Sequence, residues 1–140
     1  MKYFVLASIF ILFGLQAGCT KKPSDDLAPT SLAGKILEGR RTSGTGAFAG
    51  DESYTFVTRF DAMRHFEIKT TAGVLENNGD FQYQKTGHNI GLLTLSAKSG
   101  VRSGDDLQIT LKFTSPGDGA YEAQLIKGEQ GDQTGVFKLK

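Results

Sequence analysis

The clearest structural signal in the sequence is the stretch Leu107-Gln108-Ile109-Thr110-Leu111-Lys112-Phe113-Thr114. Apolar and polar side chains alternate along it without a break. Successive side chains of a β-strand point to opposite faces of a sheet. One face of this stretch is therefore expected to pack against the core and the other to be exposed to solvent. No part of the chain offers the i, i+3, i+4, i+7 spacing of an amphipathic helix over three turns.

Similar alternating runs recur on both sides of this stretch at intervals of about 10–12 residues, a spacing typical of all-β domains. The predicted strands outside 107–114 are residues 32–41, 54–60, 64–70, 80–86, 90–97, 120–126 and 135–140. Turn-forming clusters such as Asn77-Asn78-Gly79-Asp80 and Pro116-Gly117-Asp118-Gly119 fall between the runs. Glycine, asparagine and aspartate favour the positive φ values that tight hairpins need.

The links between the predicted strands are short, so strands that are neighbours in sequence should be antiparallel neighbours in space. The sequence therefore predicts an all-β fold: an eight-stranded antiparallel up-and-down meander, closed or flattened into a β-barrel. Closure would also remove the unpaired edges that make open sheets prone to aggregation.

Nine aromatic side chains are predicted to point into this barrel. An eight-stranded barrel is just wide enough to be filled by side chains or to hold one small ligand. A packed core is favoured, and an apolar cavity is the alternative. The possible ligand-lining residues are Tyr54, Phe56, Phe60, Phe66, Phe81, Tyr83, Phe113, Tyr121 and Phe137.

The N-terminus carries the marks of an export signal. Met1-Lys2 supplies a positive start, residues 3–15 are uncharged and almost wholly apolar, and Ala17-Gly18 precede Cys19. As a helix, residues 3–15 would span only about 20 Å, short of a bilayer core of about 30 Å. A cleaved signal peptide is therefore favoured over a transmembrane helix.

The residues Leu15-Gln16-Ala17-Gly18-Cys19 resemble the lipobox of bacterial lipoproteins. That resemblance implies cleavage before Cys19, attachment of a diacylglycerol to its sulfur, and a place in the cell envelope, at the outer membrane or cell surface. Cys19 is the only cysteine in the chain. Two or more acyl chains anchor a protein stably to a membrane, whereas a single chain gives only weak, reversible binding.

Three regions follow from these patterns: a signal peptide at 1–18, a lipidated cysteine with a flexible tether at 19–31, and a β-barrel domain at 32–140. The tether is expected because residues 20–31 carry two prolines, four charges and no periodicity. The net charge of the whole chain is only +1. Such a balance gives no electrostatic reason to expect nucleic acid as a partner.

The segment from Gly79 to Asn89, followed by Leu93-Thr94-Leu95, resembles a hairpin of small secreted β-meander proteins of environmental bacteria. The predicted topology is also similar to that of lipocalin-like barrels, although the chain has no tryptophan for the Gly-x-Trp motif of lipocalins. These resemblances imply a fold and no particular activity.

No set of residues indicates catalysis, a cofactor or a metal. His65 and His88 lie far apart in sequence without acidic neighbours at ligand spacing. Asp105-Asp106, and Glu129 with Asp132, could offer oxygen ligands to calcium, but no EF-hand or nonapeptide repeat is present, and solvated turns are favoured. The loop from Gly44 to Gly50 is rich in glycine, as phosphate-binding loops are, but it lacks the Lys-Ser/Thr ending and the following helix of such loops. A flexible inter-strand loop is therefore expected.

The function that these observations favour is a non-enzymatic binding module of the cell envelope, anchored to the membrane through lipid on Cys19. Its partner would be a small apolar molecule or an envelope protein. Two alternatives remain: an inhibitor of a hydrolase such as lysozyme, and a purely structural surface protein.

Overall fold

The computed structural model describes residues 26–140, and the predicted signal peptide, Cys19 and the start of the predicted tether lie outside this range. Eight strands make up almost all of its regular structure. They are β1 (Ile36–Gly44), β2 (Thr55–Phe60), β3 (His65–Thr70), β4 (Leu75–Lys85), β5 (Ile90–Gly100), β6 (Asp106–Ser115), β7 (Asp118–Lys127) and β8 (Asp132–Leu139).

The strands form a closed barrel in up-and-down order. Each strand pairs antiparallel with the next in sequence, and β8 pairs with β1 to complete the ring. The closing register places Leu37 opposite Leu139 and Gly39 opposite Phe137. The predicted all-β meander of eight strands is thus confirmed, in its closed form. Within residues 26–140, no helix is long and apolar enough to cross a membrane.

Strand β4 begins five residues earlier than predicted, because Asn77-Asn78-Gly79 lies inside the strand and does not form a turn. A β-bulge between Asn78 and Gly79 shifts the pairing with β5. A side chain cannot fit there, since a Cβ on Gly79 would lie 1.9 Å from the carbonyl oxygen of Ser96. Here glycine marks a bulge within a strand, and the hairpin turn expected from the sequence at this position is absent.

One end of the barrel, which we call the plugged end, is closed by the chain that precedes β1. Leu32 is fully buried and Ala28 is 3% exposed, and both belong to the apolar core. The backbone N–H groups of Leu27 and Ala28 both donate to the carbonyl of His88, in the β4–β5 loop. Residues 26–31, the last part of the segment expected to be a tether, therefore lie against the barrel.

The half of the interior next to the plugged end is filled by aromatic rings. Phe60 and Phe81 make an edge-to-face contact with centroids 4.8 Å apart, and Phe113 and Phe137 make another at 5.1 Å. All four are at most 5% exposed. Such pairs stabilise a core beyond the burial of their area. This half contains the packed core favoured by the sequence.

Inward-facing glycines lie opposite several of the rings. A Cβ on Gly39 would lie 2.2 Å from the ring of Phe56, its partner on β2, and a Cβ on Gly135 would lie 2.5 Å from the ring of Tyr121, its partner on β7. Each ring thus lies across a neighbouring strand that has no side chain at that position. This arrangement lets large rings fit into a narrow barrel.

Candidate functional site

The other half of the barrel, which we call the mouth half, contains a cavity of about 260 Å³. Several leucines line it, among them Leu37, Leu93 and Leu111. Ile68 and Ile109 contribute to the walls. The cavity extends to Val101 in the β5–β6 loop, which is 83% exposed. We call this space the mouth cavity; its lining is largely apolar, with polar groups near the open end.

The structure divides the nine aromatic residues that were predicted to line a ligand site. Four of them, Tyr54, Phe56, Phe66 and Tyr121, line the mouth cavity. The others lie toward the plugged end and do not line it: Phe60, Phe81, Tyr83, Phe113 and Phe137. The hydroxyl of Tyr83 donates to the carbonyl of Pro29 at 3.0 Å, so this residue helps to hold the plug in place.

Three of the cavity aromatics form a continuous row from the mouth inward. Tyr54 stacks on Phe56 with centroids 5.9 Å apart, and Phe56 meets Tyr121 edge to face at 6.0 Å. Offset stacking and edge-to-face contacts are the favoured geometries of aromatic pairs. The row presents a wall of ring surface to anything in the cavity.

A short turn of the β1–β2 loop, Gly46–Phe48, covers part of the mouth. Its Phe48 ring is buried between two guanidinium groups, with Arg41 at 5.4 Å and Arg102 at 4.9 Å from the ring centroid. Cation–π attraction of this kind stabilises a contact by about 0.5–2 kcal/mol. The loop that the sequence suggested would be flexible therefore has an anchored aromatic residue at its centre.

Arg41 points into the barrel at the end of β1 and is held by neutral groups. Its Nε donates to Oε1 of Gln133 at 2.8 Å, and its Nη1 donates to the carbonyl of Phe48 at 3.2 Å. Its guanidinium also lies over the ring of Tyr54, 4.8 Å from the centroid. Among residues 26–140, no carboxylate lies within ion-pair distance of Arg41.

Arg102, in contrast, is surrounded by acidic groups. Its Nη1 lies 3.7 Å from a carboxylate oxygen of Asp105 and 3.7 Å from one of Glu129. Its Nη2 donates to the carbonyl of Ala47, and its backbone N–H donates to Asn77 Oδ1 at 2.7 Å. Two of the carboxylates considered as calcium ligands thus lie beside an arginine side chain.

Glu76, at the start of β4, also lies at the mouth cavity. The hydroxyl of Tyr54 donates to its Oε2. Burial raises the pKa of the Glu76 carboxyl above its usual value, and the positive charge of Arg41 opposes that rise. The rim of the cavity therefore combines two arginines with a carboxyl group whose charge is costly.

Tyr121 places a buried hydroxyl at the mouth cavity. The residue is 3% exposed, and its hydroxyl has no hydrogen-bond partner among the described residues. Burial raises the pKa of Tyr121 to about 12, so the hydroxyl stays protonated at neutral pH and can donate a hydrogen bond. Buried polar groups without a partner are rare in native structures.

The two histidines have acidic neighbours that their sequence positions did not suggest. Nδ1 of His65 lies 3.0 Å from Asp61 and its Nε2 lies 3.8 Å from Asp80, while His88 lies 3.7 Å from Asp26. Both histidines are exposed. In the part of the chain that the structure describes, no group of three or more His, Cys, Asp or Glu side chains could hold a metal ion.

Four residues at the mouth were not expected from the sequence: the charged residues Arg41, Glu76 and Arg102, and the aromatic Phe48. A signal for Arg41 was present, because Leu37, Gly39 and Arg41 alternate along β1 and therefore share its inward face. For Phe48 and Arg102 there was none, since both lie in loops whose course is set by contacts with distant strands.

Comparison of the chain with protein-family models, with curated proteins and with solved structures found no match.

Proposed function

We propose that the protein is an exported, lipid-anchored and non-enzymatic module of the bacterial cell envelope that binds a small, largely apolar ligand in its mouth cavity. The observation that carries the binding proposal is the space of about 260 Å³ left among apolar side chains. The interior of a barrel this size could have been filled completely, as it is in the plugged half.

The form of the cavity supports a ligand site. Ligand sites are typically concave, mostly apolar, and provided with a few polar groups that fix orientation. Here the walls are aliphatic and aromatic, and the polar groups Arg41, Glu76 and Tyr121 all lie on one cavity. An apolar cavity of about 150 Å³ can bind benzene. By that scale, a molecule somewhat larger than one aromatic ring would fit.

The position of the plug is compatible with an anchor at Cys19. Asp26 is held at the plugged end through an ion pair with Lys85. The seven residues that lead from Cys19 to Asp26 reach at most about 25 Å when extended. A lipid on Cys19 would therefore keep the plugged end near the membrane, with the mouth open to the surrounding medium.

Binding can be tested with 2-naphthol, a small, neutral and environment-sensitive fluorescent dye close to the size that the cavity admits, and two matched variants. Ala97 lines the cavity, whereas Ala120 is exposed on the outer face of β7. We expect Ala97→Phe to fill the cavity and lower dye affinity at least about ten-fold, and Ala120→Phe to leave it unchanged. Equal dye binding by all three proteins would refute a ligand site in the mouth cavity.

The anchor is tested separately by mass spectrometry of the N-terminus of protein recovered from cells. We expect cleavage before Cys19 and the added mass of acyl chains, together with recovery in the membrane fraction. Cys19→Ser should move the protein to the soluble periplasmic or secreted fraction. An unacylated Cys19 in the native protein would refute the anchor and leave the binding proposal standing.

A further inference from the structure

The polar groups of the mouth cavity indicate what kind of ligand it takes. The first is the Tyr121 hydroxyl, which is a buried donor without a partner among residues 26–140. Leaving such a group unpaired costs about 1–3 kcal/mol. A ligand atom that accepts a hydrogen bond would remove this cost, so the site favours an acceptor at the level of Tyr121.

The second group is the guanidinium of Arg41. Its Nε and Nη1 donate to Gln133 and to the carbonyl of Phe48, while its Nη2 donates to no described residue. Its charge is not paired with a carboxylate in the described part of the chain, unlike that of Arg102. A half-buried cation with a free donor favours an anionic ligand group.

The strand register brings these two groups to the same place. Tyr121 on β7 is opposite Gly135 on β8, and Gly135 is opposite Arg41 on β1. All three positions therefore lie at one level of the barrel. Because Gly135 has no side chain, nothing stands between the tyrosine and the arginine from the intervening strand, and the Tyr121 ring lies across it.

We propose that the ligand is a small planar carboxylate, an assignment that rests on the proposed function. Its carboxylate group accepts hydrogen bonds from Tyr121 and Arg41, and its apolar body lies against Phe56. A volume of about 260 Å³ limits the molecule to roughly ten non-hydrogen atoms, by scaling from benzene. Long-chain fatty acids are too large. A cationic ligand would be repelled by the unpaired positive charge of Arg41.

The test is isothermal titration calorimetry of the full chain in phosphatidylcholine nanodiscs, with empty nanodiscs as the blank. The ligands are trans-cinnamate and its neutral methyl ester, which share a planar body. We expect cinnamate to bind at least about ten-fold more tightly than the ester at pH 7, because hydrogen bonds to charged groups are the stronger ones.

Three variants locate the effect. Tyr121→Phe and Arg41→Gln should each lower cinnamate affinity about ten-fold or more and change ester affinity much less. Tyr83→Phe removes a hydroxyl that already donates to Pro29 at the plugged end, so cinnamate affinity should stay as in the unmodified chain. Thermal melts of each variant separate loss of binding from loss of folding.

The experiments distinguish failure of the carboxylate assignment from failure of the proposed ligand site. If the ester and the dye bind in a way that Ala97→Phe abolishes, but cinnamate is not preferred, the cavity binds ligands and the carboxylate assignment is wrong. Unchanged cinnamate affinity in Tyr121→Phe would also overturn the assignment. If no probe binds, both proposals are refuted.

Discussion

The plugged half and the mouth half of the barrel are built from the same eight strands, yet their interiors differ. In the plugged half, aromatic rings meet other rings and Leu32 closes the end. In the mouth half, the rings of Tyr54 and Phe48 also contact the guanidinium of Arg41, and the ring of Tyr121 borders a cavity. One strand pattern can therefore support both a solid core and a site, because different inward side chains occupy the two ends.

Because the two halves are packed differently, truncating a ring in the plugged half should destabilise the protein far more than truncating one in the mouth half. Phe113 is 1% exposed and packs on Phe137, so Phe113→Ala should lower the free energy of unfolding by about 3–5 kcal/mol. Phe56 is only partly buried beside the cavity, and Phe56→Ala should cost no more than about half as much. Urea unfolding measures both, and equal losses would contradict the comparison.

A smaller effect is expected from adding one methyl group at Gly135. The new Cβ would lie 2.2 Å from the carbonyl oxygen of Arg40 and 2.5 Å from the Tyr121 ring. We expect Gly135→Ala to destabilise the protein by about 1–3 kcal/mol through overpacking and to weaken cinnamate binding by displacing Tyr121.

The matched control for that variant is Gly87→Ala in the β4–β5 loop. There the nearest atom to an added Cβ is 3.6 Å away, at an ordinary contact distance, and the φ angle is not positive. Urea unfolding of Gly87→Ala should show a change within about 0.5 kcal/mol. A Gly135→Ala protein as stable as this control would mean that the ring of Tyr121 does not lie across β8.

The smallest effect is expected at Glu76, whose pKa is raised by burial. A raised pKa means that folding disfavours the charged carboxylate, so Glu76 lowers stability at pH values above its folded pKa and ceases to do so below 4.5. Glu76→Gln should therefore melt at a higher temperature than the unmodified protein at pH 7 and at the same temperature near pH 4. The amide oxygen can still accept the hydrogen bond from Tyr54.

Glu76→Gln should also change the affinity for the ligand. The titratable groups that share the cavity with Glu76 are Arg41, Tyr54, Arg102, Asp105 and Tyr121. A charged Glu76 repels a ligand carboxylate, so Glu76→Gln should bind cinnamate more tightly at pH 7, by a few-fold at most. Calorimetry at a series of pH values from 7 downward should show this advantage shrinking as Glu76 takes up a proton, which its raised pKa makes it do at a higher pH than an ordinary glutamate.

The fold could be predicted from the sequence because its signal is local. Alternation along Leu107–Thr114 and similar runs fixes which side chains point inward, and short turns fix antiparallel pairing. The start of β4 could not be predicted, since Asn77-Asn78-Gly79 has the composition of a turn and is held in a strand by its pairing with β5.

The site was only partly predictable for the same physical reason. Periodicity identifies inward positions, but it does not say at which height each ring lies or whether its neighbour is another ring or an empty position. Phe56 and Phe113 have the same local pattern, yet one lines a cavity and the other is packed solid. That difference depends on cross-strand neighbours such as Gly39, which only the register reveals.

Both ends of the described chain lie on the plugged side, where Lys140 exchanges backbone hydrogen bonds with Ile36. The four connections at the mouth, between β1 and β2, β3 and β4, β5 and β6, and β7 and β8, carry no terminus of the described chain, and the ring is closed by the pairing of strand β1 with strand β8. Because loops tolerate change better than the strands that they connect, these four can be exchanged or lengthened while the scaffold stays the same. The architecture thus separates the strands, which keep the protein folded, from the mouth loops, which can change to suit a different ligand.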